Sequence, residues 1–142
     1  MTIAAILGGK GQDVISIAGD ATVRDAVRLL AEKRIGAVPV IEGGVVAGIF
    51  SERDVIHCQE RDGPAALDTQ VRMVMTAPAI TVTRDEPVMA ALSLMTQRRI
   101  RHLPVVENGA MLGFVSIGDL VKYRIERIEA EANQMRAYIQ TA

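Results

Sequence analysis

Hydrophobic and polar positions follow the same order twice along the chain, with an offset of 65 residues. Residues 23–54 align with residues 88–119 without a gap, and 12 of the 32 positions are identical. Residue frequencies alone would give about two identities. Two copies are too few for a solenoid, so the repeat predicts a pair of similar units related by a pseudo-twofold axis.

Each copy is predicted to run strand, helix, strand, strand, helix, which gives an α+β fold of two β-α-β-β-α units. The first strands are expected at residues 14–17 and 79–83, and the hairpin strands at 37–41 with 45–50 and at 102–106 with 110–115. Asn108 and Gly109 tolerate positive φ and are typical of a hairpin turn. Thr22 and Asp25 have the spacing of a capping box, which predicts a helix from residue 23. In the second copy Pro87 suits the first turn of the corresponding helix.

The segments between and after the copies complete the organisation. Gly63 and Pro64 favour a linker over residues 58–67. The chain then divides into a lead-in with a first repeat at 1–70, and a second repeat with a long C-terminal helix at 71–142. That helix is expected over residues 119–139, and its apolar residues are spaced 4, 3, 4, 3, 4, as in a heptad seam. The seam residues are Val121, Ile125, Ile128, Ala132, Met135 and Ile139. The seam can pack on its own domain or pair across an oligomer interface, and the sequence leaves both open.

Composition narrows the class of protein. The 142 residues carry 16 basic and 17 acidic side chains, a net charge of -1, which favours neither nucleic acid nor an anionic membrane as a partner. The lone Cys58 excludes an internal disulfide and a multi-cysteine metal site, and no metal is expected. No apolar run approaches the ~18 residues that span a bilayer. Residues 1–7 are apolar but lack a basic start and a cleavage site, so a cytoplasmic protein is expected.

Each copy ends in a glycine, two apolar residues and Ser-x-x-Asp before a helix. These motifs lie at residues 48–54 and 113–119, and Val-Pro-Val, Leu-Pro-Val and Val-Met-Thr accompany them at 38–40, 103–105 and 74–76. The pattern resembles a cystathionine β-synthase (CBS) domain, and the two copies in register resemble a stand-alone CBS pair, or Bateman module. The resemblance implies a ligand-binding regulator rather than an enzyme. It also implies two clefts between the repeats that take adenosine-containing ligands.

Two carboxylates are the first candidates to hold such a ligand. Asp54 and Asp119 fall in the first turn of a helix, where a carboxylate can accept from the two hydroxyls of a ribose, and the resemblance implies that role. Ser51 and Ser116 fall at N-caps, where free backbone N–H groups and the helix dipole favour a phosphate. The alternative is plain helix capping, which stabilises any helix by about 0.5–2 kcal/mol. Capping alone does not explain why both motifs recur at one offset.

Basic residues before the second hairpin are candidates for the phosphate. Arg101 and His102 precede a buried strand, where gamma subunits of AMP-activated protein kinase carry phosphate-binding His-Arg pairs in the reversed order. Their small counterparts in the first copy are Gly36 and Ala37, so the two clefts are expected to differ. Arg53, inside the first Ser-x-x-Asp, is a further candidate. Aliphatic residues of the first strands are candidates for an adenine slot, with ordinary core packing as the alternative. Those residues are Ile15, Ile17, Ile80 and Val82.

The sequence thus predicts a non-catalytic module that senses adenine nucleotides, with AMP as the first candidate ligand. ATP, ADP, NAD(H) and S-adenosylmethionine are the other candidates. A homodimer is expected because the seam outruns the repeat that begins it, and the protein target that reads ligand binding is unknown. The alternative is an interaction protein with vestigial clefts, whose function lies in oligomer or partner contacts. An enzyme is not expected, since the sequence offers no nucleophile–base set and no phosphate-cradling glycine loop.

Overall fold

Five α-helices and five β-strands make up the part of the chain that the structure describes, residues 1–10 and 14–141. The structure is a computed structural model. In chain order the elements are α1 (Ile3–Lys10), β1 (Ile17–Ala18), α2 (Val23–Lys33), β2 (Ala37–Glu42), β3 (Val45–Ser51), α3 (Glu52–Asp62), α4 (Val88–Arg98), β4 (His102–Glu107), β5 (Ala110–Ser116) and α5 (Ile117–Thr141). The predicted α+β fold of two repeats with a long C-terminal helix is confirmed.

The first helix of each repeat begins and ends at equivalent residues. Thr22 and Asp25 close the predicted capping box at the start of α2, with the Asp25 N–H nitrogen 3.2 Å from Thr22 Oγ1. Pro87 lies one position earlier than predicted, as the N-cap of α4. Both helices end in an arginine with a φ of 54°, Arg34 and Arg99. This left-handed conformation favours glycine, so both turns hold an arginine against its backbone preference.

The two sheets share one register. In the first sheet β1 runs parallel to β2, and β2 pairs antiparallel with β3, with a bulge between Val40 and Ile41. In the second sheet β4 pairs antiparallel with β5, with its bulge at the equivalent step, between Val105 and Val106. The first strands are shorter than predicted. The predicted strand at 14–17 is reduced to Ile17–Ala18, and the one at 79–83 to a single parallel bridge from Val82 to Val105.

Each repeat has a hydrophobic core of its own. The first core is built from α2, β2, β3 and α3, and the second from α4, β4, β5 and the start of α5. Phe50 is the largest fully buried side chain of the first core, and Met95, Leu103 and Leu120 are among the largest of the second. Because the side chains are almost all aliphatic, the fold relies on close packing of branched residues rather than on aromatic stacking.

Helix α1 belongs to the second core, although it precedes the first repeat in the sequence. Ile3 and Ile6 are buried among the residues of the second core. Two backbone hydrogen bonds hold α1 to this repeat. The Ile3 N–H donates to the Glu86 carbonyl and the Ala4 N–H to the Arg84 carbonyl, each with an N···O distance of 2.9 Å. Helix α1 therefore packs on the second repeat rather than on the first repeat, which follows it in the sequence.

The connection between the repeats, predicted as a linker over residues 58–67, begins later and is more closely packed than predicted. Helix α3 continues to Asp62, and two 3-10 helices, Gly63–Asp68 and Val71–Met73, make the connection. Cys58 and Ala66 are buried in the first core. Gly63 does end the helix, with a φ of 63°, but the chain stays packed because the apolar residues around it find core contacts.

Helix α5 leaves the body of the protein after its first turns. Leu120 is fully buried, whereas exposure of the seam rises from 43% at Val121 to 62% at Met135 and 68% at Ile139. The alternative in which the seam packs on its own domain is therefore wrong. No helix within residues 1–10 and 14–141 has the length and apolar character to cross a membrane.

Candidate functional site

The first carboxylate of interest lies where β3 passes into α3. Ser51 ends the strand and caps the helix, and its N–H donates to Asp54 Oδ2 over 2.9 Å. The Ser51 hydroxyl lies 3.0 Å from the same oxygen and 3.4 Å from the Asp54 N–H nitrogen. The capping box thus fixes the direction of the carboxylate at the positive end of the helix dipole.

The second repeat reproduces this arrangement at the start of α5. The Ser116 N–H donates to Asp119 Oδ2 over 2.8 Å, and the Asp119 N–H donates to Ser116 Oγ over 3.1 Å. Both predicted Ser–Asp pairs are therefore helix caps, as the alternative interpretation requires. A capping role does not preclude ligand binding, because each carboxylate also lines a cavity.

Two cavities lie beside the helix starts. The larger, here called the Asp54 cleft, has a volume of about 570 Å³, and the smaller, the Asp119 cleft, about 480 Å³. Both volumes suit a small-molecule ligand, for which roughly 300–1,000 Å³ is usual. The Asp54 cleft is lined by both repeats: Gly36, Ala37, Ile49, Ser51, Glu52, Arg53, Asp54, Ile56, His57, Thr76, Pro78, Ala79, Ile80, Arg98, Arg99, Ile100, Arg101 and His102.

Positive charge is concentrated in the Asp54 cleft. Its lining includes four arginines, Arg53, Arg98, Arg99 and Arg101, against the carboxylates of Glu52 and Asp54. Within residues 1–10 and 14–141, the last three arginines form no ion pair with a carboxylate. Unpaired guanidinium groups at a helix N-terminus suit an anionic ligand such as a phosphate.

The cluster that the sequence associates with the second copy thus faces the first helix cap. The Arg101 carbonyl accepts a hydrogen bond from the Ile117 N–H at the start of α5, at 2.7 Å, and Arg101 also lines the Asp54 cleft. Arg53 crosses in the other direction, and its Nη1 donates to the Arg99 carbonyl over 3.3 Å. Residues of both repeats therefore form the Asp54 cleft together.

The Asp119 cleft has a different lining. Among its described residues Arg34 is the one arginine and Asp119 the one carboxylate. His102 lines both clefts and stacks on Phe114, with ring centroids 5.4 Å apart and planes 13° apart. Leu7 of α1 also enters this lining. The described residues thus make this cleft less cationic and more apolar than the Asp54 cleft.

The aliphatic candidates for an adenine slot divide between cleft and core. Ile80 lines the Asp54 cleft and Ile15 lines the Asp119 cleft. Ile17 packs against the first core and Val82 is buried in the second, and neither is among the described residues lining a cleft. Strand alternation does not separate them, because the candidates of each strand are two residues apart and share one face. Ile17 and Val82 pair with residues of β2 and β4, whereas Ile15 and Ile80 precede the paired residues.

Three cleft residues did not stand out as ligand contacts in the sequence. The Thr76 hydroxyl donates a hydrogen bond to Asp54 Oδ1 at 2.9 Å. The Val-Met-Thr motif at residues 74–76 is the sequence feature that points to Thr76. Arg34 and Arg99 look like ordinary basic residues at helix ends, but each lines a cleft with a left-handed backbone. Non-glycine residues held in this region are concentrated at functional sites. Among the described residues no group of histidine, cysteine, aspartate or glutamate could hold a metal.

Two repeats of one fold, each with a capped carboxylate that lines a cavity, make up a tandem module. The chain belongs to the CBS domain family, whose model matches residues 11–61 and 71–126. It is 36% identical over 148 residues to the CBS domain-containing protein CBSX3, mitochondrial, of Arabidopsis thaliana, with 98% of this chain and 72% of that protein covered. The CBS domain-containing protein YhcV of Bacillus subtilis is 33% identical over 110 residues, covering 75% of this chain and 76% of YhcV.

Solved structures give the same assignment. The crystal structure of the CBS-domain containing protein ATU1752 from Agrobacterium tumefaciens superposes with a TM-score of 0.83 at 37% identity. The alignment covers 87% of this chain and 99% of that one. The predicted CBS pair in a small protein is thereby confirmed, and proteins made only of CBS domains are in general regulatory modules.

Proposed function

We propose that this CBS pair is a non-catalytic regulatory module that binds an adenine nucleotide, AMP first, in the Asp54 cleft. The observation that carries the proposal is the arrangement of Asp54, a helix N-terminus and four arginines around one cavity of about 570 Å³. A nucleotide needs an acceptor for its ribose, an anion site for its phosphate and an apolar surface for its base. The cleft offers all three.

Each group of the ligand has a candidate partner. Asp54 would accept from the ribose hydroxyls, because its Oδ1 retains a lone pair beyond the one that Thr76 uses. The phosphate would lie at the start of α3, near Ser51, Arg53, Arg101 and His102. Ile80 would contact the base. Glu52, at the first helical position, would repel added negative charge and so favours a monophosphate over a triphosphate.

The Asp119 cleft would be a second, weaker site. Asp119 and Ser116 repeat the helix cap, and Ile15 would contact the base. Arg34 would carry the positive charge, His102 would lie beside it, and Leu7 narrows the apolar side. Fewer guanidinium groups of the described residues line this cleft. The preference for AMP over adenosine should therefore be smaller here than in the Asp54 cleft.

The fold accommodates ligands of this class. The CBS domain pair of protein MJ0100 has been crystallised with 5'-methylthioadenosine and S-adenosyl-L-methionine, and it superposes on this chain with a TM-score of 0.74. At 20% identity the likeness concerns the fold alone. ADP, ATP, NAD(H) and S-adenosylmethionine are therefore the competitors to test beside AMP. A free, buried Cys58 suits the reducing cytoplasm in which we place the protein.

Isothermal titration calorimetry tests the proposal with AMP, adenosine and the competing ligands. AMP should bind at least about tenfold more tightly than adenosine, because each charge-assisted contact to the phosphate contributes about 1.5–3 kcal/mol. Arg101→Ala should remove most of that difference. Arg28→Ala, at an exposed arginine of α2 outside both clefts, is the matched control. Equal affinity for AMP and adenosine in the unaltered protein would contradict the phosphate assignment.

We also propose that the protein is a homodimer joined through α5. The observation behind this part is the exposed seam of Val121, Ile125, Ile128, Met135 and Ile139. Contiguous apolar stripes of this kind mark interaction surfaces, and twofold dimers are the commonest assemblies of identical chains. Light scattering should give a dimer for the full chain and a monomer for a chain stopped after Arg124. An interaction protein with vestigial clefts would keep the dimer and bind none of the nucleotides.

A further inference from the structure

Helix α5 presents opposite faces to two different surroundings. Leu120 and Tyr123 pack against the second core of their own chain. In the heptad defined by the seam, Ile125, Ala132 and Ile139 take position a, and Val121, Ile128 and Met135 take position d. Leu120 and Tyr123 then fall at c and f, about 130° and 170° from the middle of the seam around the helix axis. A second helix can therefore lie along the seam without displacing the core contacts.

The exposed part of the helix is long enough for such a pairing. Val121 to Ile139 spans 18 residue steps, which is about 27 Å at 1.5 Å per residue. Every described residue of α5 from Arg124 onwards is either exposed or half-buried. The six seam residues form five consecutive a–d steps, and all but Ala132 are large.

Charged residues flank the seam in an order that distinguishes the two directions of pairing. Position g holds Arg124, Glu131 and Tyr138, and position e holds Lys122, Glu129 and Arg136. In a parallel, in-register pair each g residue faces the e residue five positions later on the other helix. Arg124 then faces Glu129 of the partner subunit, and Glu131 faces Arg136 of the partner subunit. By symmetry each opposite-charge pair forms twice.

An antiparallel pair brings like charges together. With the seams fully overlapped, residue 128 lies opposite residue 132 of the other helix, and e faces e while g faces g. Glu129 would then face Glu129 of the partner subunit, Glu131 would face its own copy, and Lys122 would face Arg136 of the partner subunit. The i,i+4 contact of Glu131 with Arg127, at 4.0 Å, lies within one helix and is compatible with either direction.

We propose that α5 pairs with α5 of a second copy as a parallel, in-register two-stranded coiled coil. The inference rests on the proposed homodimer and adds its orientation. Parallel pairing places the two CBS pairs at the same end of the coiled coil, so their second repeats lie next to the twofold axis. The occupant of the seam is a second copy because the flanking charges complement the same sequence.

Disulfide cross-linking of full-length chains tests the orientation. In the parallel pair Met135 faces Met135 of the partner subunit, so Met135→Cys should form a covalent dimer under mild oxidation. In the antiparallel pair residue 135 faces residue 125, about 15 Å further along the helix. Met135→Cys alone would then stay uncrosslinked, and a mixture of Ile125→Cys and Met135→Cys chains would give the mixed dimer. The unaltered chain, whose Cys58 is buried, is the control.

A charge exchange gives a second, independent measurement. Arg124→Glu should weaken the dimer about tenfold by analytical ultracentrifugation, since attraction becomes repulsion in two flanking pairs. Adding Glu129→Arg to the same chain should restore the affinity, and Glu126→Arg, off the seam, should leave it unchanged. A dimer indifferent to Arg124→Glu, or a Met135→Cys chain that does not cross-link, overturns the parallel orientation. A monomeric full chain, or a dimer that survives truncation after Arg124, overturns the homodimer through α5 as well.

Discussion

Thr76 Oγ1 lies 2.9 Å from Asp54 Oδ1, the carboxylate oxygen that the helix cap leaves open. The other oxygen, Oδ2, accepts from the N–H and the hydroxyl of Ser51. Thr76 is itself fixed, because its N–H and carbonyl pair with Ile49 of β3, each over 2.9 Å. The carboxylate proposed to hold the ribose is therefore held from two directions, by α3 and by the segment between the repeats.

Replacing Thr76 with valine should weaken AMP binding about three- to tenfold. The variant keeps the shape of the side chain but removes a hydrogen bond to a charged group. Such bonds contribute about 1.5–3 kcal/mol. The loss should be smaller here because solvent can reach this exposed position. Thr76→Ser should restore the affinity in calorimetry. Thr96→Val, which removes a hydroxyl bonded to the Leu92 carbonyl of α4, should leave binding unchanged. Unaltered AMP affinity in Thr76→Val would show that AMP binding does not depend on the hydrogen bond from Thr76 to Asp54.

Asp54→Asn and Asp119→Asn should have similar effects on stability and different effects on binding. Each weakens an equivalent capping box, at a cost of about 1 kcal/mol in urea denaturation. Only Asp54→Asn should remove the tighter binding event, because the arginines line its cleft. Should both variants lose stability while nucleotide stoichiometry and affinity stay intact, the two aspartates are caps and nothing more.

Gly48→Ala should destabilise the protein by at least about 2 kcal/mol, and Gly113→Ala by clearly less. A Cβ at Gly48 would lie 2.6 Å from the Thr76 carbonyl oxygen, which belongs to a backbone that cannot retreat. At the equivalent Gly113 the nearest obstacle is the flexible end of the Leu7 side chain. Urea titration of both variants measures the difference, and Leu7→Ala should relieve Gly113→Ala in the double variant. Equal losses at the two glycines would argue against this difference in surroundings.

Cys58 should react slowly with thiol reagents in the folded protein at neutral pH. Burial raises the pKa of the Cys58 thiol above its usual value, so the reactive thiolate is scarce, and the side chain is also shielded. Since the folded pKa exceeds the unfolded one, the contribution of the thiol to stability is complete at low pH and is lost as the pH rises through the folded pKa. Reaction with a disulfide dye at pH 7 should be fast only in denaturant. Rapid, stoichiometric labelling of the native protein would contradict the burial.

The elements that the sequence predicts correctly are those set by neighbouring residues. The capping box of Thr22 and Asp25, the Asn108-Gly109 turn and the two Ser–Asp helix starts depend on groups within four positions of each other. Local interactions of this kind are legible in a single chain, and the repeat at offset 65 shows each of them twice. The order of strands and helices followed from them.

What the sequence does not predict depends on distant residues. Helix α1 has no hydrophobic period, because residues 3–7 are apolar throughout and Gly8 and Gly9 follow, and its backbone partners lie near residue 86. Arg101 stands in the second copy, yet it faces the first helix cap because the clefts lie between repeats. The first-strand candidates could not be sorted into cleft and core, since depth is set by the facing strand. In the same way, the burial of Cys58 and Ala66 required knowledge of the first core.

The attachment of α1 to the second core makes the two repeats unequal in chain connectivity. Residues 14–76 contain every buried side chain of the first core, so that repeat can assemble from one contiguous stretch. The second core is completed only when residues 1–10 return to it, and the bond from Ala4 to Arg84 closes a loop of 80 residues. Loop closure entropy disfavours such a contact until most of the chain is ordered. The first repeat should thus fold early, and deletion of residues 1–10 should loosen the second repeat while the first stays intact.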